Sequence, residues 1–130
     1  MSYWNTETDF SALVGLTLSE VTGMEKGSEE VVFKTTCGRL FRMYHYQDCC
    51  EGVSIEDVCG DVVDLIGSPV LMADEETNSD SPRPDGYVDS FTWTFYKLAT
   101  IKGSVTLRWL GQSNGYYSEE VSFEEATHAD

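Results

Sequence analysis

The densest run of chemically capable side chains in this sequence is His45-Tyr46-Gln47-Asp48-Cys49-Cys50-Glu51, with Cys59 following closely. Thiolates and an imidazole are ligands that zinc prefers, but structural zinc sites present separated cysteine pairs such as C-x-x-C. Here the two cysteines are adjacent, and no bound metal is expected. A disulfide between neighbours is strained. The four cysteines are therefore expected to be reduced and at least partly buried. His45 could act as base for Cys49 or Cys50, yet nucleophilic catalysis also needs an activated thiol and an oxyanion site, and neither is marked. No G-x-S-x-G, H-E-x-x-H, Walker loop or dinucleotide-binding glycine pattern occurs. The chain reads as a non-enzyme without a cofactor, with a Cys/His metal-dependent enzyme as one rival.

A second set of residues suits binding rather than turnover. Only eight lysines and arginines are present, and Arg42, Lys97 and Arg108 fall inside stretches rich in aromatic residues. A planar guanidinium among rings can grip a phosphate bidentately while a neighbouring ring stacks on a base. Arg42 and Arg108 are the candidate phosphate contacts, and Phe95 and His45 lie in the same strands. Gln47 and Asn114 could read a base edge or a ribose hydroxyl, and Tyr44, Tyr116 and Tyr117 could stack or donate. The bland counterpart is that Arg42 and Arg108 pair with carboxylates on an exposed sheet face.

These residues must be positioned by strands. Phe91, Trp93 and Phe95 alternate with Thr92, Thr94 and Tyr96, and Val105, Leu107 and Trp109 alternate with Thr106, Arg108 and Leu110. That two-residue period predicts a hairpin with one face in a core, turning at Thr100–Gly103, with Arg108 on the face opposite Trp109. Leu16–Thr22, Glu30–Thr36 and Arg39–Tyr46 form a second predicted meander with a tight turn at Cys37–Gly38. Val53–Val58 and Val70–Asp74 are further strands, and Asp61–Ile66 has room for one or two helical turns before Gly67 and Pro69. The fold class expected is α+β and β-rich: an antiparallel meander sheet of about six to eight strands with one or two short helices. Residues 1–130 form one domain, with an N-terminal arm at 1–12, a mobile loop at 75–87 and a frayed tail at 124–130.

The net charge of −15 predicts repulsion from duplex DNA or RNA and from anionic membranes. No apolar run approaches the roughly 20 residues of a membrane helix, and the first residues lack a signal-peptide plan, so a cytoplasmic location is expected. The acidic runs at 74–76, 119–120 and 124–125 read mainly as a solvated surface. A rival function is that they mimic nucleic acid and inhibit a basic host protein.

The motifs His45-Tyr-Gln-Asp-Cys-Cys-Glu51, Ile55-Glu-Asp57, Gly60-Asp61, Asp64-Leu-Ile-Gly67, Thr92-Trp-Thr-Phe-Tyr-Lys97, Arg108-Trp109 and Ser113-Asn-Gly-Tyr-Tyr-Ser118 occur in this order. From about Leu13 to Phe123 the chain resembles small, mostly phage-encoded proteins carried as a domain of unknown function. Within that group it looks like the Thoeris anti-defence sponge proteins of the first type. The resemblance implies a non-catalytic homo-oligomer, working in the cytoplasm of the infected bacterium, that encloses cyclised ADP-ribose made by TIR proteins. Some members also take cyclic oligonucleotides at a separate site. It further implies adenine stacking on aromatics with arginine and asparagine contacts, a plan with which Arg108 and Asn114 are compatible.

Overall fold

The computed structural model describes residues 6–45, 51–78, 90–113 and 120–125. In chain order they form β1 (Thr6–Glu7), a 3-10 turn (Phe10–Leu13), β2 (Leu18–Thr22), β3 (Glu30–Thr35), β4 (Leu40–Tyr44) and β5 (Gly52–Cys59). A second 3-10 turn (Val62–Leu65) leads to β6 (Met72–Asn78), β7 (Ser90–Thr100), β8 (Gly103–Ser113) and β9 (Ser122–Glu125). All strand pairs are antiparallel, as expected.

The strands do not make one meander. They divide into a five-stranded sheet in the order β1-β9-β4-β3-β2 and a four-stranded sheet in the order β5-β8-β7-β6. The single-sheet expectation fails because β4 pairs with β9 rather than with the strand that follows it in sequence. The one or two short helices shrink to two 3-10 turns among the described residues. Asp61 caps the second by accepting from the Val63 N–H at 3.2 Å, and Gly67, at φ 85°, leaves only four residues to coil.

The alternation of each strand explains the core. Val31 and Phe33 of β3, Phe41 and Met43 of β4, and Phe123 of β9 face Tyr96 and Leu98 of β7 and Val105, Leu107 and Trp109 of β8 in one continuous cluster. Phe10 joins the sheets. Its ring meets Tyr96 edge-on at 4.7 Å and Phe123 at 5.2 Å, and its burial is worth roughly 2–3 kcal/mol. The arm proposed at 1–12 is thus docked where it is described, with Thr6 opposite Glu125.

Two further expectations need correction. Residues 75–78 of the predicted loop belong to β6, paired in register with Tyr96, Phe95, Thr94 and Trp93. Glu124 and Glu125 of the predicted tail lie in β9, and Glu124 is buried. Polar composition suggested solvent, but Tyr44 and Arg42 partner Glu124, and Arg39 partners Glu125, from about 80 residues away in the chain.

The β7–β8 hairpin spans eleven residues per strand, from Ser90 opposite Ser113 to Thr100 opposite Gly103. Both of its faces are covered. Tyr96 and Leu98 enter the main core, whereas Phe91, Trp93 and Leu110 form a second buried cluster on the reverse face, with Phe95 packed against it. The prediction of one core-facing side undercounted both strands, since Phe91 and Trp93 of β7 and Leu110 of β8 are buried on the reverse face.

Candidate functional site

Strand parity places Arg108 on the outer face of the four-stranded sheet, since Leu107 and Trp109 on either side of it are fully buried inward. Its cross-strand neighbours are Phe95 on β7 and Asp57 on β5. The guanidinium carbon sits 4.8 Å from the centroid of Trp93, the diagonal neighbour, within cation–π range. The ring and the guanidinium therefore hold each other in place.

Asp57 reaches this position through a β-bulge. Ile55 opposes Trp109 and Asp57 opposes Arg108, so β5 carries one extra residue here. Asp57 Oδ2 lies 3.8 Å from Arg108 Nη2, beyond hydrogen-bond length, while Oδ1 accepts from the Val58 N–H at 2.9 Å. With 35% of the arginine side chain and 51% of the aspartate exposed, such a pair is worth about 0–1 kcal/mol. Arg108 Nε is buried and has no hydrogen-bond acceptor among the described residues. The arginine is oriented but only weakly neutralised.

Arg42 stands in a different environment. It lies on the outer face of the other sheet with its guanidinium 3.7 Å from the Tyr44 ring centroid. Nη1 reaches Glu30 at 3.2 Å and Nη2 reaches Glu124 at 3.7 Å, while the Tyr44 hydroxyl donates to Glu124 at 2.5 Å. Burial first, and the Glu124 contact next, push the Tyr44 phenol above its usual pKa, so it remains a donor. Arg42 and Tyr44 thus follow the bland reading of carboxylate pairing. Facing outward from opposite sheets, the Arg42–Tyr44 and Arg108–Phe95 pairs do not converge on one ligand within a chain.

His45 is a structural pin. One ring nitrogen, Nδ1, donates to the Glu120 carbonyl at 2.7 Å, and Nε2 meets Glu51 Oε2 at 2.8 Å. A carbonyl only accepts, so Nδ1 carries a proton. Their side chains are 5% and 1% exposed. Both nitrogens are engaged, which leaves no free lone pair to activate a thiol. Gln47, Cys49, Cys50, Asn114, Tyr116 and Tyr117 lie outside the described residues. Cys37 and Cys59 are exposed free thiols, not the partly buried ones expected.

Three residues that sequence reasoning missed matter here. Trp93 was read as core, and only the hairpin register brings it beside Arg108. Asp57 needed the bulge. Glu75, assigned to a loop, instead lines a cavity between the sheets together with Thr8, Thr77, Thr92, Thr94, Glu120, Val121 and Phe123. An acid three residues into an alternating polar strand carried no signal by itself.

Residues 11–123 match a family described as a domain of unknown function, DUF7448. No curated protein and no solved structure matches the chain.

Proposed function

Because the chain belongs to DUF7448, a family described without a function, its role has to be read from its own residues, and we propose that it is a binding protein that captures a small nucleotide-derived second messenger without turning it over. The ligand class is a cyclised ADP-ribose, withheld from a TIR-based Thoeris defence in the infected bacterial cell. The observation that carries this reading is Arg108: a guanidinium held over Trp93 at 4.8 Å, beside Phe95, with a partly exposed side chain and, among the described residues, only a long ionic contact, to Asp57. Such a group offers paired N–H donors to a pyrophosphate, and an adjacent ring offers a stacking face to adenine.

The motif resemblance adds the ligand class, which the geometry leaves open. Sequestration needs complementarity to the ligand as it stands, so no acid, base or nucleophile enters the scheme. A single outer sheet face is shallow, and enclosing most of a cyclic dinucleotide-sized ligand calls for a second subunit. The proposal therefore includes a homo-oligomer.

Incubation with the products of an active TIR signalling enzyme tests the reading. The protein should retain a cyclised ADP-ribose and release it chemically unchanged on heat denaturation. Arg108→Ala should lose retention while keeping the circular dichroism of the parent. Release of an altered nucleotide would indicate an enzyme, and retention undiminished in Arg108→Ala would remove the proposed anchor. No nucleotide binding, with a host protein retained instead, would favour acidic mimicry.

A further inference from the structure

The two sheets treat their basic residues differently. On the five-stranded sheet Lys34 of β3 reaches Glu20 at 3.3 Å, Arg39, just before β4, reaches Glu125 at 2.8 Å, and Arg42 of β4 reaches Glu30 at 3.2 Å. On the four-stranded sheet Arg108 has, among the described residues, only the 3.8 Å ionic contact to Asp57. Lys97 of β7 makes no ion pair with any described residue, although Asp74 stands directly opposite it on β6. With 23 aspartates and glutamates to 8 lysines and arginines in the chain, these two cations are not left open for want of acid.

Both lie on one face. Tyr96 and Leu98, on either side of Lys97, are fully buried inward, as are Leu107 and Trp109 around Arg108, so both cations point outward. Phe95 pairs with Arg108 and Lys97 with Thr106. Lys97 and Arg108 are therefore diagonal neighbours, roughly 7–8 Å apart between Cα atoms. The guanidinium leans along the other diagonal, onto Trp93, so the half-buried Phe95 stands between it and Lys97. Neither β7 nor β8 contains an acid, whereas the register sets Asp74 and Glu76 beside them on β6 and Asp57 on β5. Positive charge is thereby confined to a short line along the two middle strands, with negative charge to either side.

We infer, on the reading of Arg108 as the phosphate anchor, that Lys97 is a second phosphate contact and that this face selects a ligand with two linked phosphates over one with a single phosphate. The planar guanidinium takes one phosphate through paired N–H donors, and the ammonium, a point charge on a flexible stem, takes the next across Phe95. A monophosphate engages Arg108 and leaves Lys97 to water. The acids on β5 and β6 repel an anion that lies across the sheet, which holds the ligand along β7 and β8.

Calorimetric titration of the full chain with ADP and with AMP, at low ionic strength and without divalent cations, tests this, since the two share base and ribose and differ by one phosphate. ADP should bind about tenfold more tightly, the worth of one charge-assisted contact. The chain's net charge of −15 works the other way, because it favours the less anionic AMP. Lys97→Gln should bring ADP down to the level of AMP and leave AMP unchanged, and Lys97→Arg should keep most of the preference. Arg108→Ala should weaken both nucleotides. Lys34→Gln, which removes an equal charge from the other sheet, should leave the preference as it is. An ADP preference that survives in Lys97→Gln, with Arg108→Ala still weakening both nucleotides, would overturn the role of Lys97 and leave the Arg108 anchor standing. Binding that is absent, or untouched by Arg108→Ala, would overturn both. An equal loss in Lys34→Gln would reduce the effect to overall charge and overturn the role of Lys97.

Discussion

The indole N–H of Trp109, in the four-stranded sheet, donates to Met43 Sδ in the five-stranded sheet at 3.1 Å, with both residues fully buried. A thioether is a weak acceptor, but an indole N–H buried with no acceptor costs about 1–3 kcal/mol. This contact therefore selects one relative placement of the sheets out of many that would pack equal apolar area. Met43→Leu conserves volume and removes the acceptor. Urea unfolding should show a loss of about 1–3 kcal/mol, and the loss should largely vanish when Met43→Leu is made in a Trp109→Phe background. Absence of coupling in that cycle would reduce the contact to ordinary packing.

Breaking the His45–Glu51 pair should have a larger effect. His45→Ala leaves a carboxylate that is 1% exposed without its imidazole partner and also removes the donor to Glu120. A loss of roughly 3–5 kcal/mol is expected, read from the urea midpoint. Glu51→Gln keeps an acceptor for the ring and should cost clearly less. Should both substitutions cost under about 1 kcal/mol, the pair would not be what ties β4, β5 and the approach to β9 together.

The strands with clean alternation were legible in the sequence, and the reason is local. Val31, Phe33, Phe41 and Met43 declare an inner face by period alone, and so do Val105, Leu107 and Trp109. The side of the sheet on which Arg108 emerges followed from the same parity. What the period cannot carry is pairing between distant segments. The insertion of β9 between β1 and β4 depends on Phe123 stacking on Phe41 at 5.5 Å and on Glu124 finding Tyr44 and Arg42, contacts about 80 residues apart in the chain. Without them Glu124–Glu125 looks like a tail. Glu75–Asn78 misled in the same way, because what makes it a strand is its pairing with Trp93–Tyr96, and its own acids stay exposed. At the site, the arginine could be named in advance, whereas Asp57 depended on a bulge and His45 on the Glu120 carbonyl, an acceptor 75 residues away in the chain.

Glu125 gives the fold an acid-sensitive element. Arg39 holds its carboxylate through two hydrogen bonds of 2.8 and 2.9 Å, and these, before their charge attraction, lower its pKa below the ordinary value of 4.5. A depressed carboxylate contributes stability that is present above the unfolded-state value and lost as pH falls through the folded one. The Arg39 side chain is 42% exposed, so the contribution is about 0.3–1 kcal/mol. Arg39→Met should lower stability by that amount at pH 7 and by nearly nothing once the pH lies well below the depressed value. Urea midpoints of both proteins across that window check it. A gap that persists undiminished in acid would mean that Arg39 acts by packing on Phe41, which its guanidinium overlies at 5.1 Å.

Neutralising Asp57 tests the proposed anchor from the opposite direction to removing Arg108. The carboxylate is the nearest described counter-charge to the guanidinium, at 3.8 Å, and it competes with any anion that approaches. Asp57→Asn retains an oxygen to accept from the Val58 N–H, so the bulge and the position of Arg108 should persist. Giving up an exposed pair of about 0.2–1 kcal/mol should tighten an anionic ligand by up to about fivefold at low ionic strength. Added salt should shrink the gain, because the competing charge is partly exposed to solvent. The measurement is the affinity of wild type and Asp57→Asn for a cyclised ADP-ribose over a salt series. Weaker binding in the variant would mean that Asp57 orients Arg108 rather than competing for it, and identical affinities at every salt concentration would place the phosphate away from Arg108 altogether.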